Sequence, residues 1–197
     1  MSPVGGNSWF TQPVYVPGGD PEDMNEATLL YPGQLGVRFA FSIPSRSAPT
    51  ASTGAGTNKA YKLVQIDSSI AVTAAYHGAV AWFADQAART VTTVPTTLGR
   101  GRVAGIFRKS SGGYLTPGRF TCIQVKGLAD SVKFIDAPTA TPSAAGLIVI
   151  PSATAGKADC LAAGSAATYP ALGRTAGAFN AVEVTATVDL DVPEVLG

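Results

Sequence analysis

The chain has 197 residues and a formal net charge of +1, and only 14% of its residues are charged, well below the usual quarter. Its 22 glycines, 14 prolines and 46% hydrophobic residues favour many short strands around a real core over long helices. No apolar run approaches the roughly 18 residues that a membrane-spanning helix needs, so we expect no membrane partner.

The first 34 residues are expected to form an extended arm. Five prolines and two Gly-Gly pairs exclude long regular structure there, yet the segment carries many apolar side chains that need a surface to bury them. The acidic stretch GGDPEDMNE (18–26) reads as a solvated acidic turn, or as the start of a short helical turn at 22–29, because it lacks the spacing of a calcium loop. The candidate anchors for a neighbouring subunit are Trp9, Phe10, Tyr15 and Tyr31.

Residues 35–197 are expected to form a single β domain with a flexible loop at 44–58. The run LGVRFAFSI (35–43) alternates apolar and polar residues, which is the pattern of a half-buried strand. Further strands are predicted at 60–66, 102–107, 120–127, 131–135 and 146–150, and a hairpin is predicted from strands 79–84 and 89–94. We therefore predict a mainly β fold, either a small antiparallel β-barrel or a sandwich.

The end of the chain alternates again. In AVEVTATVDL (181–190), Val182, Val184, Ala186, Val188 and Leu190 are expected to face inward. Upstream, the heptads GRVAGIF (101–107) and GRTAGAF (173–179) agree at five of seven positions, which indicates either two similar strand-turn corners, each before an apolar strand, or a chance match in a Gly/Ala-rich chain. Seven residues are too few to indicate a duplication.

Charge is unevenly distributed along the chain. From residue 86 to residue 129 there are seven basic residues and no acid, whereas from residue 130 onward there are seven acids and three bases. Either the basic segment docks on an oppositely charged partner, or the two segments interleave in a sheet and neutralise each other. The candidate contact residues in the basic segment are Arg100, Arg102, Arg108, Lys109 and Arg119.

Catalytic and cofactor signatures are not visible in the sequence. The single histidine, His77, has no G-x-S-x-G nucleophile motif to serve, and neither zinc-ligand spacing nor a phosphate-binding glycine motif is present. We expect a protein that is not an enzyme, with no cofactor, no metal and no nucleic-acid partner. The two cysteines, Cys122 and Cys160, are expected to be free buried thiols of a chain made in a reducing cytoplasm, since MSPVGGNSWF does not read as a signal peptide.

An ordered series of short motifs carries a family resemblance. The motifs are HGAVAWFAD, RTVTTV, GRVAGIF, TPGRF and TCIQVKG, followed later by ALGR (171–174) and VEVTATVDL (182–190). Together they cover about half of the chain, and their order and spacing resemble those of the head decoration (cement) and minor capsid proteins of tailed bacteriophages. The arm and the 44–58 loop lie outside this resemblance.

The resemblance implies a virion structural protein made in the bacterial host cytoplasm. Such a protein binds the outer surface of the assembled capsid and clamps neighbouring copies of the major capsid protein. It implies self-association as a homotrimer, or as a dimer. The alternative is a β-sandwich module of a virion, located on its tail, fibre or head surface, that binds a receptor or a carbohydrate.

Overall fold

The computed structural model describes residues 25–27, 38–42, 58–95, 103–109, 113–142, 146–162, 164–166 and 170–193. All regular elements in these ranges are strands, which confirms the prediction of a mainly β fold. Accordingly, none of these ranges holds a helix long and apolar enough to cross a membrane. The strands are β1 (Asn25–Ala27), β2 (Arg38–Ser42), β3 (Asn58–Ile66), β4 (Val80–Asp85), β5 (Thr90–Thr92), β6 (Val103–Phe107), β7 (Phe120–Lys133), β8 (Ile148–Pro151), β9 (Ala158–Cys160), β10 (Gly173–Asn180) and β11 (Thr185–Asp191).

Five strands close into a barrel. Their order is β3-β5-β4-β6-β7, and β7 pairs back onto β3 to complete the circle. Four of the five pairings are antiparallel as predicted, but β3 and β5 run parallel, with Gln65 opposite Thr90. The largest fully buried side chains of the barrel strands are at most 1% exposed, and they include Trp82, Phe107, Leu63, Ile66, Ile106 and Ile123.

The predicted hairpin at 79–94 is confirmed. Strands β4 and β5 pair antiparallel, with Phe83 opposite Val91. The carboxylate of Asp85 accepts a hydrogen bond of 2.9 Å from the backbone N–H of Ala88, which stabilises the connecting turn.

Strand β7 differs from the prediction of two separate strands at 120–127 and 131–135. It is one strand of 14 residues whose first half pairs with β3 and whose second half pairs with β11. The side-chain amide of the fully buried Gln124 donates to the carbonyl groups of Lys126, Gly127 and Leu128 at 3.0–3.1 Å. These bonds satisfy backbone groups at the point where Gly127 has a φ of +83°, so the strand continues through the irregularity.

The remaining strands lie outside the barrel. β11, β10, β8 and β9 follow one another from the second half of β7, and β2 pairs with β3. Residues 103–107 of the first similar heptad form β6, and the second heptad lies within β10, so these residues are strands themselves and do not form corners that precede a strand. The closing strand is also shorter than predicted at its start, because residues 181–184 form a turn before β11.

Val182 is the clearest error of the alternation pattern. It was expected to face inward, but it is 93% exposed, whereas Ala186, Val188 and Leu190 are buried as predicted. The carboxamide oxygen of Asn180 accepts hydrogen bonds from the backbone N–H groups of Val182 and Glu183, which fixes a turn there instead of a strand.

Only a short part of the predicted arm is described. Residues Asn25–Ala27 form β1, which pairs with the start of β7 at Phe120 and Thr121, so the expected helical turn at 22–29 is wrong at these positions. The candidate anchors Trp9, Phe10, Tyr15 and Tyr31 lie outside the described residues, as do positions 44–57 of the predicted loop. Both cysteines are free and buried, as predicted.

Candidate partner-binding cleft

A surface cleft with a volume of about 490 Å³ lies where the second half of β7 leaves the barrel. Five separate parts of the chain contribute to its lining. The described residues that line the cleft are Thr73, Tyr76, His77, Gly113, Tyr114, Ser131, Lys133, Lys157 and Glu183.

Residues 108–109 and 113–119 of the basic segment, which we call the basic loop, contribute Gly113 and Tyr114 to one wall of this cleft. The loop is joined to the 71–78 turn by two backbone hydrogen bonds, from His77 N–H to the Gly113 carbonyl (2.9 Å) and from Leu115 N–H to the Ala75 carbonyl (2.8 Å). The ammonium group of Lys109 donates to the Tyr114 carbonyl at 2.7 Å. The loop residues beside the cleft are therefore held against the barrel.

His77 has a positioning role in this wall. Its Nδ1 accepts a hydrogen bond of 3.1 Å from the backbone N–H of Lys109. An acceptor at Nδ1 requires that position to be unprotonated, so the neutral ring carries its proton on Nε2. The imidazole thereby fixes the point where the basic loop begins.

Two tyrosines form an aromatic pair in the cleft. The rings of Tyr76 and Tyr114 meet edge to face, with centroids 6.5 Å apart and an interplanar angle of 85°. Burial raises the pKa of Tyr76, and the neighbouring Tyr114 hydroxyl raises it further. The Tyr76 hydroxyl therefore stays protonated at neutral pH and remains a hydrogen-bond donor.

Backbone hydrogen bonds hold the other walls together. Gly78 donates to the Phe107 carbonyl and accepts from Lys133 N–H, both at 2.9 Å, and Phe134 N–H donates to the Val184 carbonyl at 2.9 Å. Among the described residues other than glycine, three have a positive φ, and two of these border the cleft: Ser131 at 55° and Val184 at 53°. Such conformations cost about 1–3 kcal/mol each and persist only where the surroundings impose them.

The cleft carries excess positive charge. Lys133 and Lys157 line it, and within the described part of the chain neither ammonium group makes an ion pair or a hydrogen bond. Lys109 adds a third cation at the edge. Glu183 is the only acid among the lining residues that the structure describes.

Arg108 does not fit its predicted role as a surface contact. Its side chain is only 2% exposed, and its guanidinium donates to the Asp130 carbonyl at 2.6 Å and pairs with the Asp130 carboxylate. This pair joins the basic and acidic halves of the chain, so the neutralising interpretation holds at this position.

The other predicted contact residues do not gather at one place. Lys109 borders the cleft, but Arg119 is half-buried elsewhere, where its carbonyl accepts a hydrogen bond from Ile66 N–H at 2.8 Å. Arg100 and Arg102 lie outside the described residues. The sequence interpretation missed Tyr76, Lys133, Lys157 and Glu183 as site residues, because no local spacing connects segments so far apart in the chain.

A second depression, of about 350 Å³, lies beside β10 and β11. It brings Arg174 together with Asp189, its cross-strand partner, and with Asp191. The described residues contain no group of three or more histidine, cysteine, aspartate or glutamate side chains that could hold a metal ion. Trp82, one of the two tryptophans, is buried in the barrel and offers no surface for stacking on a sugar.

Comparisons with protein-family models, with curated proteins and with solved structures found no match for the chain.

Proposed function

We propose that the chain is a non-enzymatic structural protein of a tailed-phage virion that binds the outside of the assembled capsid and clamps neighbouring major capsid subunits. The observation that carries the proposal is the ordered motif series, because its members coincide with one structural unit. HGAVAWFAD, RTVTTV, GRVAGIF and TCIQVKG contain β4, β5, β6 and the first half of β7, which are four of the five barrel strands. The resemblance thus falls on the strands of the barrel rather than on scattered loops.

The cleft supports a partner-binding role. Its walls are fixed by hydrogen bonds, and it combines two unpaired lysine ammonium groups with an exposed aromatic side chain, Tyr114. A surface that is already ordered loses little conformational freedom when a partner binds. These are the properties expected of a rigid module that adheres to a preformed lattice.

Clamping follows from mass action. A protein that binds the assembled lattice, but not free capsid subunits, stabilises the lattice by about 2.7 kcal/mol per site when its free concentration is 100 times its Kd. Many such sites per head would resist the internal pressure of packaged DNA. No chemical step is needed for this role.

Co-sedimentation tests the proposal. The purified chain is mixed with DNA-filled heads of the virus that encodes it, stripped of the endogenous protein, and the heads are pelleted through sucrose. We expect saturable binding, with a stoichiometry that matches a symmetry class of the lattice, and a higher temperature of DNA release. Absence from the pellet at micromolar concentration contradicts the proposal. Light scattering of the free chain tests the expected homotrimer or dimer.

The alternative, a receptor- or carbohydrate-binding module of a virion, is favoured by one observation. Tyr114 is 54% exposed and stands at the edge of the cleft, where its ring could stack on a sugar face. Saturable binding of an oligosaccharide that is lost in Tyr114→Ala, with no binding to heads, would support this function over capsid decoration.

A further inference from the structure

We propose that the cleft is a docking site for an acidic peptide segment of a partner protein. Aliphatic side chains of the segment lie against the apolar rim of the cleft, which is formed by Val72, Tyr114 and Val182. The inference rests on the proposed function in one respect, namely that the chain acts by binding another protein. It adds the place of contact and the chemistry of the partner.

The first argument is the distribution of exposed apolar side chains. Four large hydrophobic residues are exposed in the described part of the chain, and three of them belong to this region. Tyr114 lines the cleft, Val72 (64% exposed) precedes Thr73 of the lining, and Val182 (93% exposed) precedes Glu183 of the lining. Single exposed apolar residues are ordinary, but their concentration around one cleft marks an interaction surface.

The second argument is charge complementarity. Lys133 and Lys157 present their ammonium groups to the cleft, and Lys109 adds a cation at the rim through its bond to the Tyr114 carbonyl. Among the described lining residues Glu183 is the single acid, and the carboxylate of Asp130 is engaged by Arg108. The region therefore attracts carboxylates, and such complementarity selects a partner and speeds its association.

A peptide, unlike a small anion, can contact both the lysine ammonium groups and the exposed apolar side chains. A small free anion would satisfy the lysines and leave the apolar rim in water. A peptide segment with alternating acidic and aliphatic residues covers both at once. Because hydrogen bonds already fix the 71–78 turn, the basic loop and the end of β7 relative to one another, the ordering cost of binding falls on the peptide alone.

Three peptides separate the parts of the proposal. The probe is fluorescein-labelled LEDLEDL, followed by fluorescence anisotropy at low salt. LQNLQNL keeps the leucines and removes the charges, and AEDAEDA keeps the charges and removes the leucines. We expect both controls to bind at least fivefold more weakly than LEDLEDL. Equal binding of either control overturns the proposal, since it would mean that charge or apolar contact alone is recognised.

Matched variants locate the binding site. The double variant Lys133→Gln/Lys157→Gln should weaken LEDLEDL binding at least tenfold, and Val182→Ser should weaken it severalfold without disturbing the fold, because this side chain is almost fully exposed. Lys126→Gln removes an exposed cation from the same strand outside the cleft and should change little. An equal loss in Lys126→Gln, or competition by an oligosaccharide in place of peptide, overturns the proposal.

The same variants distinguish this inference from the proposed function. If the double variant loses the peptide but binds heads as the wild type does, the inference fails and the proposed function survives. If the wild type binds the peptide at the cleft but never binds heads, the proposed function fails and the docking site stands.

Discussion

Gly78 allows a sharp test of how the cleft is held together. Its φ is +82°, and a Cβ at this position would lie 2.0 Å from the carbonyl oxygen of Ser131, whereas real Cβ atoms stay at least 3.0 Å from such neighbours. Gly113, in the cleft lining, has nearly the same φ of +81° but nothing within 4 Å of such a Cβ. Gly78→Ala and Gly113→Ala therefore share the backbone cost and differ in the collision.

The magnitudes follow from these two environments. The left-handed backbone costs an alanine about 1–2 kcal/mol at either position. At Gly78 the overlap adds about 1–3 kcal/mol, and the shift that relieves it strains two backbone hydrogen bonds, with Phe107 and Lys133, worth about 1 kcal/mol each. Gly78→Ala should then lose about 4–7 kcal/mol of unfolding free energy, a large part of a typical total of about 5–15 kcal/mol.

Urea titration followed by far-UV circular dichroism measures both variants against the wild type. The difference between the two alanine variants isolates the contact with Ser131. Thermal unfolding should place Gly78→Ala at least about 6 °C below Gly113→Ala. A difference in unfolding free energy below about 1 kcal/mol would refute the reasoning, because the 76–78 turn would then have room to move away from β7.

Further outcomes follow from other buried groups. Gln124→Leu should lower the free energy of unfolding in urea by about 2–3 kcal/mol, because three carbonyl groups lose their donor. Gln65→Leu removes a single hydrogen bond to the Gly118 carbonyl and should lower it by about 1 kcal/mol. Equal losses in the two variants would contradict this. Asp130→Ala should lower the free energy of unfolding by about 2 kcal/mol in thermal unfolding. This is less than the about 3–5 kcal/mol expected for a fully buried pair, because the Asp130 side chain is 43% exposed and water screens it. A change below about 0.5 kcal/mol would show that its pairing with Arg108 contributes little to stability. Burial, and then the nearby Asp159 carboxylate, raise the pKa of Cys160 from 9.0 to about 12. The native thiol should therefore resist a disulfide reagent at pH 8, and the free energy of unfolding should fall as the pH rises from about 9 towards 12. Rapid labelling of the native chain would contradict this.

The sequence was informative wherever apolar periodicity matched the local backbone. The alternation at Ala186, Val188 and Leu190 identified a buried face correctly, since this part of β11 has one face on the core. The hairpin of β4 and β5 followed from two β-rich runs around a polar turn. Both features depend on residues that are close together in the sequence, so a local pattern is enough to predict them.

The errors arise where a side-chain hydrogen bond determines the local structure, because apolar periodicity does not reveal such bonds. Periodicity could not show that Asn180 fixes a turn at Val182, or that Gln124 carries β7 through the irregularity at Gly127. The burial of Arg108 depends on Asp130, 22 residues later.

The cleft shows most clearly that a sequence pattern does not reveal contacts between segments that are far apart in the chain. Lys133 and Lys157 belong to the half of the chain that reads as acidic, and only the tertiary fold places them beside Tyr114 of the basic loop.

Capsid binding through the cleft is tested most directly by co-sedimentation of the chain with stripped heads, in which the wild type, Lys133→Gln/Lys157→Gln and Lys126→Gln are compared at one concentration. We predict saturable binding of the wild type and of Lys126→Gln, and at least tenfold weaker binding of the double variant. Failure of the wild type to bind would contradict the proposed capsid function. Equal binding of all three proteins would show that the capsid is contacted through another surface.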